Sequence, residues 1–177
     1  MNPEFGLKDP GVSVQVYGVS GREIDQVWSQ DLWTVVSLQP QVVWLHVGGN
    51  DLSRFDENGR PDVVAGKLCE FADSLYHEFN VSKVLVSSFN ERYEPYCWRR
   101  YPPDYNARVA AANWELEAAF RDLEFAIFWD HSRHLKFRWD EDALEGDSVH
   151  WTETTMKHFY KSFRGGLIQA LPSFPAP

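Results

Sequence analysis

Two hydrophobic periods alternate along the chain. Residues 12–17 (VSVQVY) put Val12, Val14 and Val16 on one face and Ser13, Gln15 and Tyr17 on the other. Such period-two alternation, rich in β-branched side chains, predicts a strand. After a Gly18-Val19-Ser20-Gly21 turn, Ile24, Val27, Trp28, Leu32, Val35 and Val36 recur at helical spacing until Pro40 ends the helix. Residues 41–47 (QVVWLHV) form a near-continuous apolar run of strand length, the pattern of a strand covered on both faces. Gly48-Gly49-Asn50-Asp51 stands at its exit, and a polar loop with an Asn58-Gly59 turn leads on.

The scheme then repeats. Val64, Leu68, Phe71, Ala72 and Leu75 predict a helix over 61–79, and residues 83–88 (KVLVSS) a third, buried strand. Residues 90–104 are irregular. Val109, Ala112, Asn113, Leu116 and Phe120 share one side of a helix over 106–123, and residues 124–129 (EFAIFW) read as a fourth strand. A charged connection over 130–147 precedes an amphipathic helix over 152–171. The order β-α-β-α-β-α-β-α predicts parallel pairing by right-handed crossovers, hence a three-layer α/β/α sheet domain. That single domain runs over 11–171. Residues 1–10 read as a cloning scar or disordered arm, and 172–177 as a frayed, Pro-rich tail.

Composition narrows the function. The length, 177 residues, suits one domain with a real core. With 17 basic against 26 acidic side chains the formal charge is −9, which argues against nucleic acid as a general partner. No apolar run reaches the roughly 20 residues of a membrane helix. The 12 Phe, 7 Tyr and 8 Trp imply a bulky core, an aromatic-walled groove, or both. Cys69 and Cys97 make no disulfide framework, so free thiols and an intracellular setting are expected, and no signal peptide is visible.

In an open parallel sheet, ligands bind outside the carboxyl ends of the strands. Gly18 to Gly21, Gly48 to Asp51, and Asp147 to His150 all fall at such ends. Taken singly, each has a plainer reading: Gly21 as a turn glycine, Asn50 as a helix cap, Asp147-x-x-His150 as a cap before Thr152. His131 and His134 with Asp130 lack zinc-like ligand spacing and read as a solvated loop, so no metal is expected. His46 reads as a core histidine, His77 and His158 as helix-surface residues, and Gly165-Gly166 as a close packing contact. Arg92, Trp98, Arg99 and Arg100 lie in an aromatic stretch (RYEPYCWRRYPPDY) that could wall or cover a pocket, or fold on its own rings.

Together and in order, Gly18-Val19-Ser20-Gly21, Gly48-Gly49-Asn50-Asp51 and Asp147-Ser148-Val149-His150 resemble blocks II, III and V of the SGNH, or GDSL-type, hydrolases over residues 12–171. The chain is also loosely similar to the esterase modules of animal retrotransposon first-frame proteins. The resemblance implies a flavodoxin-like sheet and acyl transfer through a seryl ester, as in a carboxylesterase acting on a small ester substrate without a cofactor. It implies that His150 is the general base and Asp147 its orienting carboxylate. The side-chain amide of Asn50 and the backbone N–H of Gly21 would hold the oxyanion. The family's block I, Gly-Asp-Ser on a first strand, has no counterpart ahead of Gly18. The sheet is therefore expected to lack that strand, and the base its serine. One reading places that strand and serine upstream in a longer native protein, of which this chain is a fragment or splice product; Ser20 and Ser148 are the candidate replacements within it. The other reading is a pseudoenzyme that holds a glycan, lipid or nucleic acid in an aromatic-lined cleft. A parallel sheet short of one strand leaves N–H and C=O groups unpaired, which predicts a homodimer.

Overall fold

Three parallel strands carry the sheet: β1 (Val42–Leu45), β2 (Lys83–Ser87) and β3 (Ala126–Trp129), side by side in that order. The computed structural model describes residues 7, 11–92, 102–134, 145 and 150–171. Before β1 come α1 (Ile24–Gln26) and α2 (Leu32–Ser37), joined by a π-helical turn over Val27–Asp31. After it come a single turn, α3 (Gly49–Leu52), and the long α4 (Pro61–His77). Helix α5 (Pro102–Phe120) links β2 to β3, and α6 (His131–His134) and α7 (Glu153–Ala170) follow.

Register sorts the strand residues onto two faces. Val43, Val84 and Ala126 lie abreast, as do Leu45, Val86 and Phe128. They join Val64, Leu68, Leu75, Val109 and Leu116 of α4 and α5 in the main core. The opposite face carries Trp44, Leu85 and Ile127 abreast, then Ser87 beside Trp129. Helix α7 covers it closely: a Cβ on Gly166 would lie 2.7 Å from Trp44 Cζ3 and 3.1 Å from Trp129 Cδ2. The Gly165-Gly166 pair is thus the packing contact expected of it, and the three layers are α4/α5, sheet and α7.

Local chemistry accounts for the long helices. Pro61 opens α4 at its first turn, where a missing N–H costs nothing. Thr152 caps α7, its Oγ1 accepting from Thr155 N at 3.3 Å. Helix α5 holds the segment leaving β2 through two asparagines. Asn113 receives the N–H of Phe89 at 2.8 Å and donates to its carbonyl at 3.1 Å; Asn106 does the same for Arg92 at 2.9 and 2.8 Å. Seven residues of helix rise about 10.5 Å, and three of extended chain span about 10 Å, so the spacings match.

Two expected elements differ. Residues 12–17 form no ladder with any described residue and are irregular. Their alternation is that of a strand, but a strand also needs a neighbour to accept its hydrogen bonds. The helix foreseen over 22–38 is broken into α1 and α2 by the π turn, which brings Asp31 inward to burial. Among the described residues no helix is long and apolar enough to cross a membrane.

Candidate active site

Two glycine-marked turns are stitched together at the carboxyl end of β1. Asn50 Nδ2 donates to the carbonyl of Arg22 at 3.0 Å. The next residue, Asp51, accepts the N–H of Ile24 on both oxygens, at 3.3 and 3.2 Å. Arg54 Nη1 reaches Glu23 Oε2 at 2.9 Å. Residues 22–24 therefore lie against 50–54 by three successive polar contacts. Ile24 N–H is one of the orphan donors at the start of α1, and Asp51 supplies its acceptor. Burial pushes the Asp51 carboxyl up to about 6, with the Ile24 N–H pulling the other way.

Glycine is needed at Gly48 twice over: φ is +112°, and a Cβ would meet Phe89 Cε1 at 2.6 Å. Gly21 has φ +77° but nothing within 4 Å of a Cβ, so its requirement is conformational and the space above it is open. Since Gly21 directly precedes Arg22, the structure brings Gly21 and Asn50 together. An amide nitrogen carries two hydrogens, and Arg22 takes one, leaving the other for a ligand.

A carboxylate beneath the first turn had no place in the sequence argument. Tyr17 Oη and Arg22 Nη2 each donate to Asp31 Oδ1 at 3.2 Å. Arg22 Nε stands 3.0 Å from Asp31 Oδ2, within ion-pair range but off the hydrogen-bond line. One buried carboxylate thus staples both ends of the Gly18–Gly21 turn. The signal was an acidic residue set against the apolar stripe of the helix, just before Leu32.

Arg92, expected as a pocket wall, braces the other turn. Its Nη1 donates to Ser53 Oγ at 2.6 Å and its Nη2 to the Gly49 carbonyl at 3.2 Å, while the guanidinium lies 4.1 Å over the Tyr105 ring. Trp98, Arg99 and Arg100 lie outside the described residues.

His150 sits exposed in a bend two residues before the cap of α7, its carbonyl accepting from Glu145 N at 2.7 Å. Its neighbour Trp151 packs on Phe159 at 3.7 Å and on His46 at 5.8 Å between ring centroids. His46 directly follows β1, on the chain that leads to Gly48 and Asn50. Asp147 and Ser148 lie outside the described residues.

Two histidine expectations are corrected. His46 is not a core residue but keeps solvent-exposed surface. Rings of Phe159, Trp151 and His131 crowd it within 5.2 to 6.0 Å. Desolvation among those rings lowers its pKa to about 4. His131, read as part of a solvated loop, is buried on the α7 side of the sheet. Its Nδ1 pairs with Ser162 Oγ at 2.9 Å and its Nε2 with Ser87 Oγ at 3.1 Å. Trp129 and Trp44 donate to the same two hydroxyls at 2.9 and 2.7 Å. Both ring nitrogens are thus engaged, and desolvation holds the imidazole neutral, its pKa down to about 2. His77 is exposed on α4, and His158, half-buried on α7, bonds the Thr154 carbonyl at 2.9 Å. Among the described residues no cluster of three or more His, Cys, Asp or Glu could hold a metal ion.

Comparison with known proteins follows the same lines. The fold is similar to that of a GDSL-like lipase from Bacteroides thetaiotaomicron, with TM-score 0.71 at 20% identity, over 88% of this chain and 75% of that one. A carbohydrate esterase of family 3 from Talaromyces cellulolyticus gives 0.68 at 18%, over 94% and 79%. The family 3 carbohydrate esterase of Clostridium thermocellum gives 0.61 at 21%, over 84% and 66%. At these identities the likeness is one of fold. No curated protein matches the sequence. The model of the GDSL-like lipase/acylhydrolase family matches residues 5–157, most of the chain, and the protein belongs to that family.

Proposed function

We propose that the stitched turns form the oxyanion pocket of an SGNH-type carboxylesterase. The observation that carries this reading is the Asn50 Nδ2 bond to the Arg22 carbonyl. It fixes the amide plane, directs the second N–H outward, and sets it beside the open backbone of Gly21. A donor held at the developing negative charge contributes about 10²–10³ in rate, because it needs no reorganisation when the tetrahedral oxyanion forms. His150, heading α7, is the general base, and Asp147 orients its ring. In the reaction a serine oxygen attacks the ester carbonyl while His150 takes its proton. The alkoxide leaves with that proton and a seryl ester remains; water, deprotonated in turn by His150, attacks it, the serine–acyl bond breaks, and the acid departs as the serine oxygen takes back the proton.

Family membership and esterase structural neighbours support the reaction class. The sequence holds no Gly-Asp-Ser ahead of Gly18, so the chain alone hydrolyses short p-nitrophenyl esters feebly. Activity assays with Asn50→Ala, and labelling by a fluorophosphonate probe, test this. The expected result is slow turnover that falls about 10²-fold in Asn50→Ala. Turnover indifferent to Asn50 overturns the pocket assignment. Robust turnover and labelling, lost in Ser20→Ala or Ser148→Ala, overturns the missing nucleophile and names its replacement.

A further inference from the structure

The stretch of chain from residue 11 into β1 carries a concentration of exposed apolar residues. Among the described residues β1 has a strand neighbour only in β2, although its run of apolar side chains is that of a strand inside a sheet. Residues 12–17 show the converse. They have strand periodicity and no ladder, and Val16, Tyr17 and Val19 are 68%, 52% and 42% exposed. The carbonyl of Arg22, five residues after this arm, is held by Asn50, so the chain that follows the arm meets the chain that follows β1. Of the ten exposed large hydrophobic residues among the described residues, six (Val16, Tyr17, Val19, Trp28, Trp33 and Leu38) fall within the stretch from the arm to the start of β1. A monomer seldom exposes so much apolar surface in one region.

Charge selects the occupant. In a chain of net charge −9, residues 11–21 and 32–50 contain no Asp, Glu, Lys or Arg. Two copies can therefore meet along those two segments without like-charge repulsion; Arg22, Glu23, Asp25 and Asp31, which lie between them, are ion-paired within the chain. Edge strands of monomers usually carry charged residues that prevent such pairing, and this edge has none. The same region offers an acceptor edge and a strand-like donor, the self-complementarity that a two-fold interface requires.

We infer that two copies of the chain associate by exchanging arms, residues 12–17 of each adding as a strand to the outer edge of β1 of the other. Main-chain hydrogen bonds supply the pairing, and Val12, Val14 and Val16 cover apolar surface that a single copy leaves open.

Sedimentation velocity over a wide concentration range, with amide hydrogen exchange of β1, tests the inference. The wild type is expected to dimerise, with protection at the β1 amides that point away from β2. Val16→Pro removes a ladder donor at an exposed position, and Val16→Lys adds like charge without altering the backbone. Each is expected to raise the dimer dissociation constant by about tenfold or more, the equivalent of one or two lost hydrogen bonds, with unchanged circular dichroism. A monomer at every concentration overturns the inference, and protected β1 amides in that monomer would assign the edge to the chain's own residues. A dimer untouched by both variants overturns the arm exchange.

Discussion

Asn50 gives one amide hydrogen to the carbonyl of Arg22 at 3.0 Å, and that bond makes a flexible side chain a fixed donor. Removing the amide has two separable consequences. The oxyanion loses a hydrogen bond, and the Gly18–Gly21 turn loses a tie to α3. Asp31 still clamps the turn through Tyr17 and Arg22, so the fold should survive. For Asn50→Ala we predict a fall in kcat of about 10²-fold with little change in KM and a small drop in melting temperature. A large rise in KM at constant kcat would instead make Asn50 a ground-state binding residue.

The two positive-φ glycines should respond differently to alanine. Gly21→Ala meets no atom within 4 Å, so only backbone strain opposes it, about 1–2 kcal/mol. Gly48→Ala adds a clash with the Phe89 ring to the same strain, and overpacking of that kind costs about 1–3 kcal/mol more. Urea denaturation of both variants checks the order. Equal losses would mean that Phe89 swings aside without cost.

The sheet and its long helices were legible because their evidence is local. Val64 to Leu75 keeps a helical stripe, and KVLVSS is apolar on both faces, whatever lies around them. Residues 12–17 mislead because alternation reports side-chain faces and not the presence of a ladder partner. The Gly-Gly-Asn-Asp turn was legible as a block, but its attachment to residues 22–24 was not, since it depends on where two turns meet in space. His131 was misjudged for a related reason. Nothing in Asp-His-Ser-Arg-His reveals that Ser87 and Ser162, from other elements, will converge on one ring. Asp31 showed in the sequence only as a charge among apolar helix positions; that Tyr17 and Arg22 would close on it depends on how the turn packs back in space.

Asp51 gives stability a distinct pH dependence. Its folded pKa is raised to about 6 by burial, against about 3.9 when unfolded. The folded state therefore binds the extra proton between those values, and its contribution is present below about pH 4 and lost as pH rises through about 6. An asparagine side chain in its place would keep an acceptor for Ile24 N–H with no charge to bury. Asp51→Asn is expected to gain in melting temperature relative to wild type as pH goes from 4 to 7. A difference that does not change with pH would show Asp51 ionised throughout.

His131 acts with the opposite sign. Unfolded, it titrates near 6.5; folded, desolvation between Trp44, Phe159 and the two serines lowers it to about 2. Stability from the neutral ring is complete above about pH 6.5 and is lost progressively as pH falls below it, because the unfolded chain takes up the proton that the folded chain refuses. A neutral imidazole donates through one nitrogen and accepts through the other, so one of Ser87 and Ser162 donates a hydrogen bond to the ring and the other accepts one from it. His131→Phe keeps the ring stacking, and both serines still accept from Trp44 and Trp129. It forfeits the two serine–histidine bonds, and should cost about 1–3 kcal/mol at pH 7.5. Since phenylalanine does not titrate, that deficit should shrink between pH 6.5 and 4.5, where the wild type is losing stability and the variant is not. Thermal melts of both proteins across that range decide the matter: a deficit that stays constant on acidification would mean that His131 accepts a proton without leaving its place between Ser87 and Ser162.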